Sequence, residues 1–276
     1  MRRIVAGILL LLLSLGCAVR PVHDAAGIRL HTGRAGERPA PSDSLLVVSY
    51  NIKFAENLET ALADLRGLPL PRRPDVLLLQ EMDPAGTAWL AQELGMNHVH
   101  RPSYIHPQTG RLFGNAILSP WPLQDAQVVV LPHANPLTDD RRTALAVDVM
   151  VAGHRLRTVS LHMGTLMMPL GNRLEQFTTV RDSLVPPGGP VLVGGDMNTA
   201  GPYERRLVRR LFRAAGLRDT RLPEAATMER RLLGPIKLGF RMDRFYQRGL
   251  EPLAAGVGTR ARGSDHRPIW SVYRWQ

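Results

Sequence analysis

Four short apolar runs in this chain end at an amide, a carboxylate or an imidazole. Leu45-Leu46-Val47-Val48-Ser49-Tyr50 leads to Asn51, and Val76-Leu77-Leu78-Leu79 leads to Gln80-Glu81. Thr158-Val159-Ser160-Leu161 leads to His162, and Val191-Leu192-Val193-Gly194-Gly195 leads to Asp196-Met197-Asn198. A fifth polar cluster, Gly263-Ser264-Asp265-His266-Arg267-Pro268, precedes the strand-like run Ile269-Trp270-Ser271-Val272-Tyr273. Short apolar runs bounded by turn residues are the pattern of buried strands. Strands that deliver such groups to their ends build a site. Oxygen ligands beside histidines at one rim suit a hard divalent cation and phosphate chemistry.

Helices and further strands fill the intervals. Residues 56–67 place Leu58, Ala61, Leu62 and Leu65 on one helical face, and Gly67 and Pro69 stop the helix. Residues 84–94 form a second helix, with Pro84 suited to its first turn. Helices are also expected at 172–184 and at 203–215. The last carries Arg205, Arg206, Arg209, Arg210 and Arg213 on a solvated face. Further strands are expected at 114–119, 126–131, 143–151, 155–162, 241–247 and 268–273, with 221–240 irregular. Short loops join several strands. That favours a mixed two-sheet sandwich with helices outside over a purely parallel, doubly wound sheet.

The length of 276 residues and 44% hydrophobic content suit one large domain. The net charge of +11 is almost all arginine, since only Lys53 and Lys237 are lysines. No basic run is interleaved with aromatics, so charge alone does not single out nucleic acid. At the N-terminus, Arg2-Arg3 precedes a stretch, residues 4–15, that is apolar apart from Gly7 and Ser14. It is short for a membrane span and has the form of an export signal. The only cysteine, Cys17, follows Leu15-Gly16 in a pattern that resembles a bacterial lipoprotein cleavage site, with Ser14 where leucine is usual. The expected organisation is a signal peptide at 1–16, a lipid-anchored flexible tether at 17–43 and a folded domain at 44–276. Cleavage would remove Arg2 and Arg3 and lower the charge from +11 to +9. The expected location is the cell envelope, anchored to membrane through Cys17, with secretion as the alternative. A single cysteine excludes an intrachain disulfide framework.

The polar groups carry a resemblance. Ser49-Tyr50-Asn51-Ile52, Gln80-Glu81, Gly114-Asn115-Ala116-Ile117-Leu118-Ser119, Ser160-Leu161-His162, Gly195-Asp196-Met197-Asn198, Arg241-Met242-Asp243 and Ser264-Asp265-His266-Arg267-Pro268 resemble the endonuclease/exonuclease/phosphatase superfamily, in its order. Each piece alone is a weak motif, and the ordered set is a strong one. The resemblance implies an α/β fold, a four-layer sandwich of two mixed sheets packed face to face with helices outside. It implies a hydrolase of phosphoester bonds that depends on Mg²⁺, with Mn²⁺ as a second choice, acting as phosphodiesterase, nuclease or phosphatase. Glu81 would be the principal metal ligand, with Asn51 beside it and Asp265 near the metal. Asp196 would position or deprotonate the attacking water, and Asn198 would bond a phosphate oxygen. His266 would face the scissile phosphate, Asp243 would orient its ring, and His162 would stabilise charge or assist the leaving group. Phospholipid, nucleic acid and small phosphate esters are the candidate substrates, and a monomer is expected. The alternative to hydrolysis at the envelope is a nuclease outside the cytoplasm or a degenerate binding member.

Blander readings exist for each residue alone. Asn51 suits a cap for a turn near Phe54, and Glu81 suits the first turn of the helix at Pro84. A lone His162 is more often a satisfied core residue, and Gly195-Asp196 is a common turn pair. His100, His106 and Tyr104 are rim candidates. Arg244 is a candidate to face the substrate phosphate. Residues 164–170 are either a core-packed loop or an exposed apolar lip.

Overall fold

The protein is described by a computed structural model covering residues 20–21, 31–33, 40, 42–105, 110–136, 138–199, 201–231 and 237–276. The expected signal peptide, Cys17 and His106 lie outside the described residues. The chain begins β1 (Arg20–Pro21), β2 (His31–Gly33), β3 (Ser44–Asn51), a 3₁₀ turn (Lys53–Ala55), α1 (Leu58–Arg66), β4 (Val76–Met82) and α2 (Pro84–Leu94). It continues with β5 (Asn97–Ile105), β6 (Leu112–Ser119), β7 (Leu123–Val130), β8 (Thr143–Val151), β9 (His154–His162), α3 (Leu170–Leu184) and β10 (Val191–Asp196). It ends with α4 (Pro202–Ala214), β11 (Arg218–Asp219), β12 (Met228–Arg231), β13 (Lys237–Phe240), β14 (Asp243–Arg248), β15 (Leu250–Val257) and β16 (Ile269–Trp275).

The strands form two mixed sheets. The first has the order β1-β5-β6-β4-β3-β16-β15, with β2 also on β5, and the second has the order β11-β14-β10-β9-β8-β7. Each contains one parallel pair, β3 with β4 and β9 with β10, among antiparallel neighbours. Alternation along the strands sorts side chains between layers. Leu45, Val47 and Leu78 face Leu145, Leu192 and Phe245 between the sheets. Val48, Tyr50, Leu77 and Leu79 face outward against Ala61, Leu62, Leu65 and Leu90 of α1 and α2. Val159, Leu161 and Val193 face outward against Phe177, Val180, Val208 and Phe212 of α3 and α4. The result is the expected four-layer sandwich of helix, sheet, sheet and helix. Each fully buried Leu, Val or Phe contributes roughly 1.5–3 kcal/mol relative to exposure.

The helices follow their local signals. On α1 the predicted stripe is the buried one, and Gly67 closes the helix. Asp83 caps α2 by accepting from the Gly86 N–H at 2.6 Å, Pro84 opens it, and Gly95 ends it at φ 60°. On α4, Val208 and Phe212 are buried and the arginines point outward.

Several elements differ from the sequence expectation. β5 carries Pro102 and two histidines, so it lacks an apolar run; Pro102 sits at a register shift opposite Gly114, where a ladder tolerates it. β15 carries Pro252 at another shift on the edge of the first sheet. The stretch expected to be irregular contains the hairpin β12–β13. Within the expected tether, Arg20–Pro21 and His31–Gly33 pair with β5. Among the described residues, no helix is long and apolar enough to cross a membrane.

Candidate active site

Both parallel strand pairs end at the same rim. Asn51 lies opposite Gln80 at the end of the β3–β4 pair, and His162 lies opposite Asp196 at the end of the β9–β10 pair. Asp243 opens β14 directly opposite Asp196, and His266 precedes β16. Gly195 makes this approach feasible. Its φ is 139°, and a Cβ there would stand 2.0 Å from the Leu161 carbonyl oxygen.

Asp196 is the hub. Its Oδ1 accepts the Asn198 N–H at 2.9 Å. Its Oδ2 lies 3.1 Å from Asn51 Nδ2, 3.4 Å from His162 Nε2 and 3.6 Å from His266 Nε2. His266 Nδ1 meets Asp243 Oδ2 at 2.9 Å. Asn51 Nδ2 also reaches Glu81 Oε1 at 3.3 Å, and His162 Nε2 lies 3.8 Å from the same oxygen. Glu81 Oε2 accepts the Phe54 N–H at 3.2 Å, and Asn51 Oδ1 accepts the Lys53 N–H at 3.1 Å. Asn51 is thus not the cap of the 3₁₀ turn, which begins after Ile52 with no side-chain cap; it bonds the Lys53 N–H in an Asx-type turn while its amide nitrogen faces the site. Asn51, His162, Asp196, Asn198, Asp243 and His266 are all buried.

The backbone carries strain here. Glu81 has φ 56° at a register shift of β4 against β6, Asn198 has φ 49°, and Lys53, Phe54 and Ala55 are all left-handed. Non-glycine residues in this region gather at functional sites because only a strongly determined surrounding holds them there.

Burial and charge divide the titratable groups. Burial pushes the Glu81 pKa up, opposed by Arg142 and His266 and aided by Asp196. Burial also raises Asp196, with Asp243 adding to it and His266 opposing. Burial lowers His162 well below the ordinary imidazole value, and the charges of Arg142 and His266 lower it further. For His266, burial disfavours the cation, but Asp243 and Asp196 outweigh it and lift the pKa to about 10. At neutral pH one imidazole is thus neutral and the other is an imidazolium held between two carboxylates.

The ligand atoms of Asp196, Asp243 and His266 all lie within 4.8 Å of one another. Both nitrogens of His266 already face carboxylates, so this trio is an ion-paired relay more than a metal cage. Asp265 is exposed at the mouth, its Oδ1 accepting from Ser264 Oγ at 3.3 Å, and its charge adds to the lift on His266.

Other residues support the site without a sequence cue. Arg142 stands 5.2 Å from the Tyr104 ring centroid and 3.5 Å from Asp140, and its charge acts on Glu81 and His162. Thr227 Oγ1 accepts the Met242 and Asp243 N–H groups at 2.9 and 3.0 Å. On α3, buried Arg173 donates to the Asn198 carbonyl at 3.2 Å and pairs with Glu204 of α4 at 2.9 Å. One turn on, Gln176 Oε1 accepts the Gly164 N–H at 2.8 Å. The i, i+3 spacing of Arg173 and Gln176 on the first helix after His162 was their available signal.

Three expectations change. His100 is fully buried in β5 and its Nε2 meets the Met82 carbonyl oxygen at 2.7 Å, so it belongs to the core. Arg244 points away from the site, because strand alternation puts Phe245 between the sheets and Arg244 on the outer face, 3.6 Å from Asp219. The 164–170 loop is split: Met168 is buried, while Leu166 and Met167 are 44% and 61% exposed.

A two-sheet α/β sandwich with a buried acid–imidazole rim at the ends of its parallel strand pairs defines a class. Within it, the sequence profile of the Endonuclease/Exonuclease/phosphatase family matches residues 48–266, and the chain belongs to that family. No curated protein matches the chain in sequence. Among solved structures, it is similar to an endonuclease/exonuclease/phosphatase from Beutenbergia cavernae at 23% identity and TM-score 0.65, over 84% of this chain and 72% of that one. It is similar to D. rerio TDP2 complexed with single strand DNA product at 18% identity and TM-score 0.66, over 84% of this chain and all of that one. It is also similar to Staphylococcus aureus beta toxin at 17% identity and TM-score 0.63, over 82% of this chain and 99% of that one. These likenesses establish the fold.

Proposed function

We propose that this chain hydrolyses phosphoester bonds with a divalent cation, Mg²⁺ or Mn²⁺, held by Glu81 and Asn51. The observation that carries the reading is the convergence of Asn51, His162 and His266 on Asp196 Oδ2 within 3.1–3.6 Å. The residues fit such a cation. Glu81 is a carboxylate raised by burial and repelled by Asp196, so a nearby positive charge would relieve it. Asn51 now turns its amide nitrogen to Glu81, and must turn its amide over to offer oxygen. When bound, a hard cation would neutralise charge on the phosphate oxygens.

The remaining work falls to the chain's own groups. Asp196, a stronger base than a free aspartate, would take the proton of the attacking water. His266 would present its Nε2 proton to a phosphate oxygen while Asp243 fixes the ring through Nδ1. His162, held neutral, would donate a hydrogen bond without repelling the cation. Asn198 has one amide proton on the Met163 carbonyl at 3.0 Å and would offer the other to phosphate. Asp265, at the mouth, would meet the cation through water.

Substrates at the envelope suit the export-like N-terminus, and Cys17 would carry the lipid. A nucleic-acid strand is the second reading, supported by the DNA product in the TDP2 complex. Metal-stripped protein should hydrolyse bis-para-nitrophenyl phosphate only after Mg²⁺ or Mn²⁺ is restored. Full activity in excess chelator would sink the assignment. Cys17→Ser should abolish fatty-acid labelling and membrane fractionation; a wild-type chain that takes up no lipid would make this a secreted enzyme.

A further inference from the structure

Beside the candidate active site lies a groove of about 690 Å³ lined by Glu229, Lys237, Arg260, Arg262, Asp265 and Arg267, among others. Asp265, which lines the groove, is the residue before His266, and its charge acts on that ring. Four cations face two carboxylates. Glu229 holds Arg267 Nη2 in an ion pair and Lys237 Nζ at 3.4 Å. Among the described residues neither Arg260 nor Arg262 forms a salt bridge, and both are exposed. The groove is therefore positive overall at its 260–262 wall.

That wall is held in place. Asp64 of α1 accepts the Arg262 N–H at 3.0 Å and the Gly263 N–H at 2.7 Å, and also the Tyr50 hydroxyl at 2.9 Å. Gly263 seats directly on α1, where a Cβ would stand 2.5 Å from the Ala61 nitrogen. The Ala261 N–H bonds the Gly258 carbonyl at 3.0 Å. The opposite wall is tied to the catalytic segment: Met228 bridges His266, the Glu229 N–H meets the Asp265 carbonyl at 2.9 Å, and the Arg267 N–H meets the Thr227 carbonyl at 2.6 Å. A loop whose role was only to be solvated would not require this anchoring. Anchored backbone with two free guanidinium groups is a preorganised receptor for a tetrahedral oxyanion.

We propose that this groove binds a second phosphate of the substrate, adjacent to the scissile one, through Arg260 and Arg262. The ligand is then a molecule with phosphates in succession, as along an oligonucleotide strand. The inference rests on the proposed phosphoester hydrolysis. Its test compares thymidylyl-thymidine with its terminally phosphorylated form, using the full chain with Mg²⁺. Wild type should favour the phosphorylated dinucleotide in kcat/KM by about 10-fold, the scale of one charge-assisted contact. In the double variant Arg260→Ala/Arg262→Ala the preference should fall to about one, with the thermal midpoint kept. Arg260→Lys/Arg262→Lys should retain part of it. Arg274→Ala, at the remote end of β16, should retain all of it. A wild type without preference, or a double variant that keeps it, overturns the groove. Should neither dinucleotide be cleaved, the hydrolase reading fails on that substrate and binding decides. The metal-free chain must then bind the phosphorylated form more tightly, by a margin the double variant loses, and an equal affinity overturns the proposal.

Discussion

The two sheets use one structural device to bring different chemistry to the rim. In each, a single parallel strand pair ends in polar residues registered side by side. The first sheet ends in Asn51 beside Gln80, with Glu81 one residue beyond at φ 56°. The second ends in His162 beside Asp196, with Gly195 taking the unusual backbone angle. The first sheet thus gives neutral and acidic oxygen donors, and the second gives an acid touching an imidazole. Gln80 ties the pairs together across the core, donating to Ser160 Oγ at 3.2 Å. On the proposed reading, cation holding falls to the first sheet and proton handling centres on Asp196 of the second, with Asn51 and His266 as the groups that the first sheet sends to Asp196.

On that division the largest effects fall on turnover, at Asp196 and at the imidazole that reaches it. Asp196→Asn would remove the proposed base, and His266→Ala would remove the proposed phosphate-facing ring. Each should lower kcat by about 10² or more, the scale of a positioned acid–base group. Circular dichroism should report an unchanged fold. If either variant turns over at the wild-type rate, its residue leaves the mechanism and the division collapses.

Changes at Glu81 should show up in another variable. Glu81→Gln should raise the Mg²⁺ concentration for half activity by roughly 10-fold, by analogy with the loss on weakening metal coordination, while saturating Mg²⁺ restores much of kcat. A loss of kcat with no change in the metal titration would move Glu81 into the proton-handling set. Asp243→Asn should cost less than His266→Ala. The double variant should cost no more than His266→Ala alone, since the two act as one unit. Additive losses would show that Asp243 acts independently of the ring.

Where local signals sufficed, the sequence was legible. Asn51, Glu81, His162, Asp196 and His266 each flank an apolar run, and a run with a polar end is visible without tertiary knowledge. That residues 76–79 form a buried strand followed from their apolar run, while the layer each leucine faces emerges only from the packing. What escaped were contacts made only in three dimensions. Arg142 belongs to the site because β8 brings the loop before it against Tyr104. His100 is core because the Met82 carbonyl happens to meet its ring. Pro102 and Pro252 concealed β5 and β15, since proline argues against a strand unless a register shift is known. Arg244 was misplaced by one step of alternation, which sends it to the opposite face.

The smallest effects separate the two histidines by pH. In metal-free protein His266 has its folded pKa near 10, above the ordinary imidazole value, so folding favours its protonated form. Its contribution to stability is complete below about pH 6.5 and fades as pH rises through about 10. His162 has its folded pKa below the ordinary value, so folding favours its neutral ring. Its contribution is complete above about pH 6.5 and is lost as pH falls. Thermal midpoints in chelator should record both. The gap between wild type and His266→Gln should narrow from about pH 6 to about pH 10, and that between wild type and His162→Gln should narrow in the acid direction below about pH 6. The sign of each trend is what the measurement reads, and about 1 kcal/mol would move the midpoint of a domain this size by roughly 2–4 °C. Parallel curves for the two variants would mean that both rings share one environment, and the carboxylates of Asp196 and Asp243 would then not be setting His266 apart.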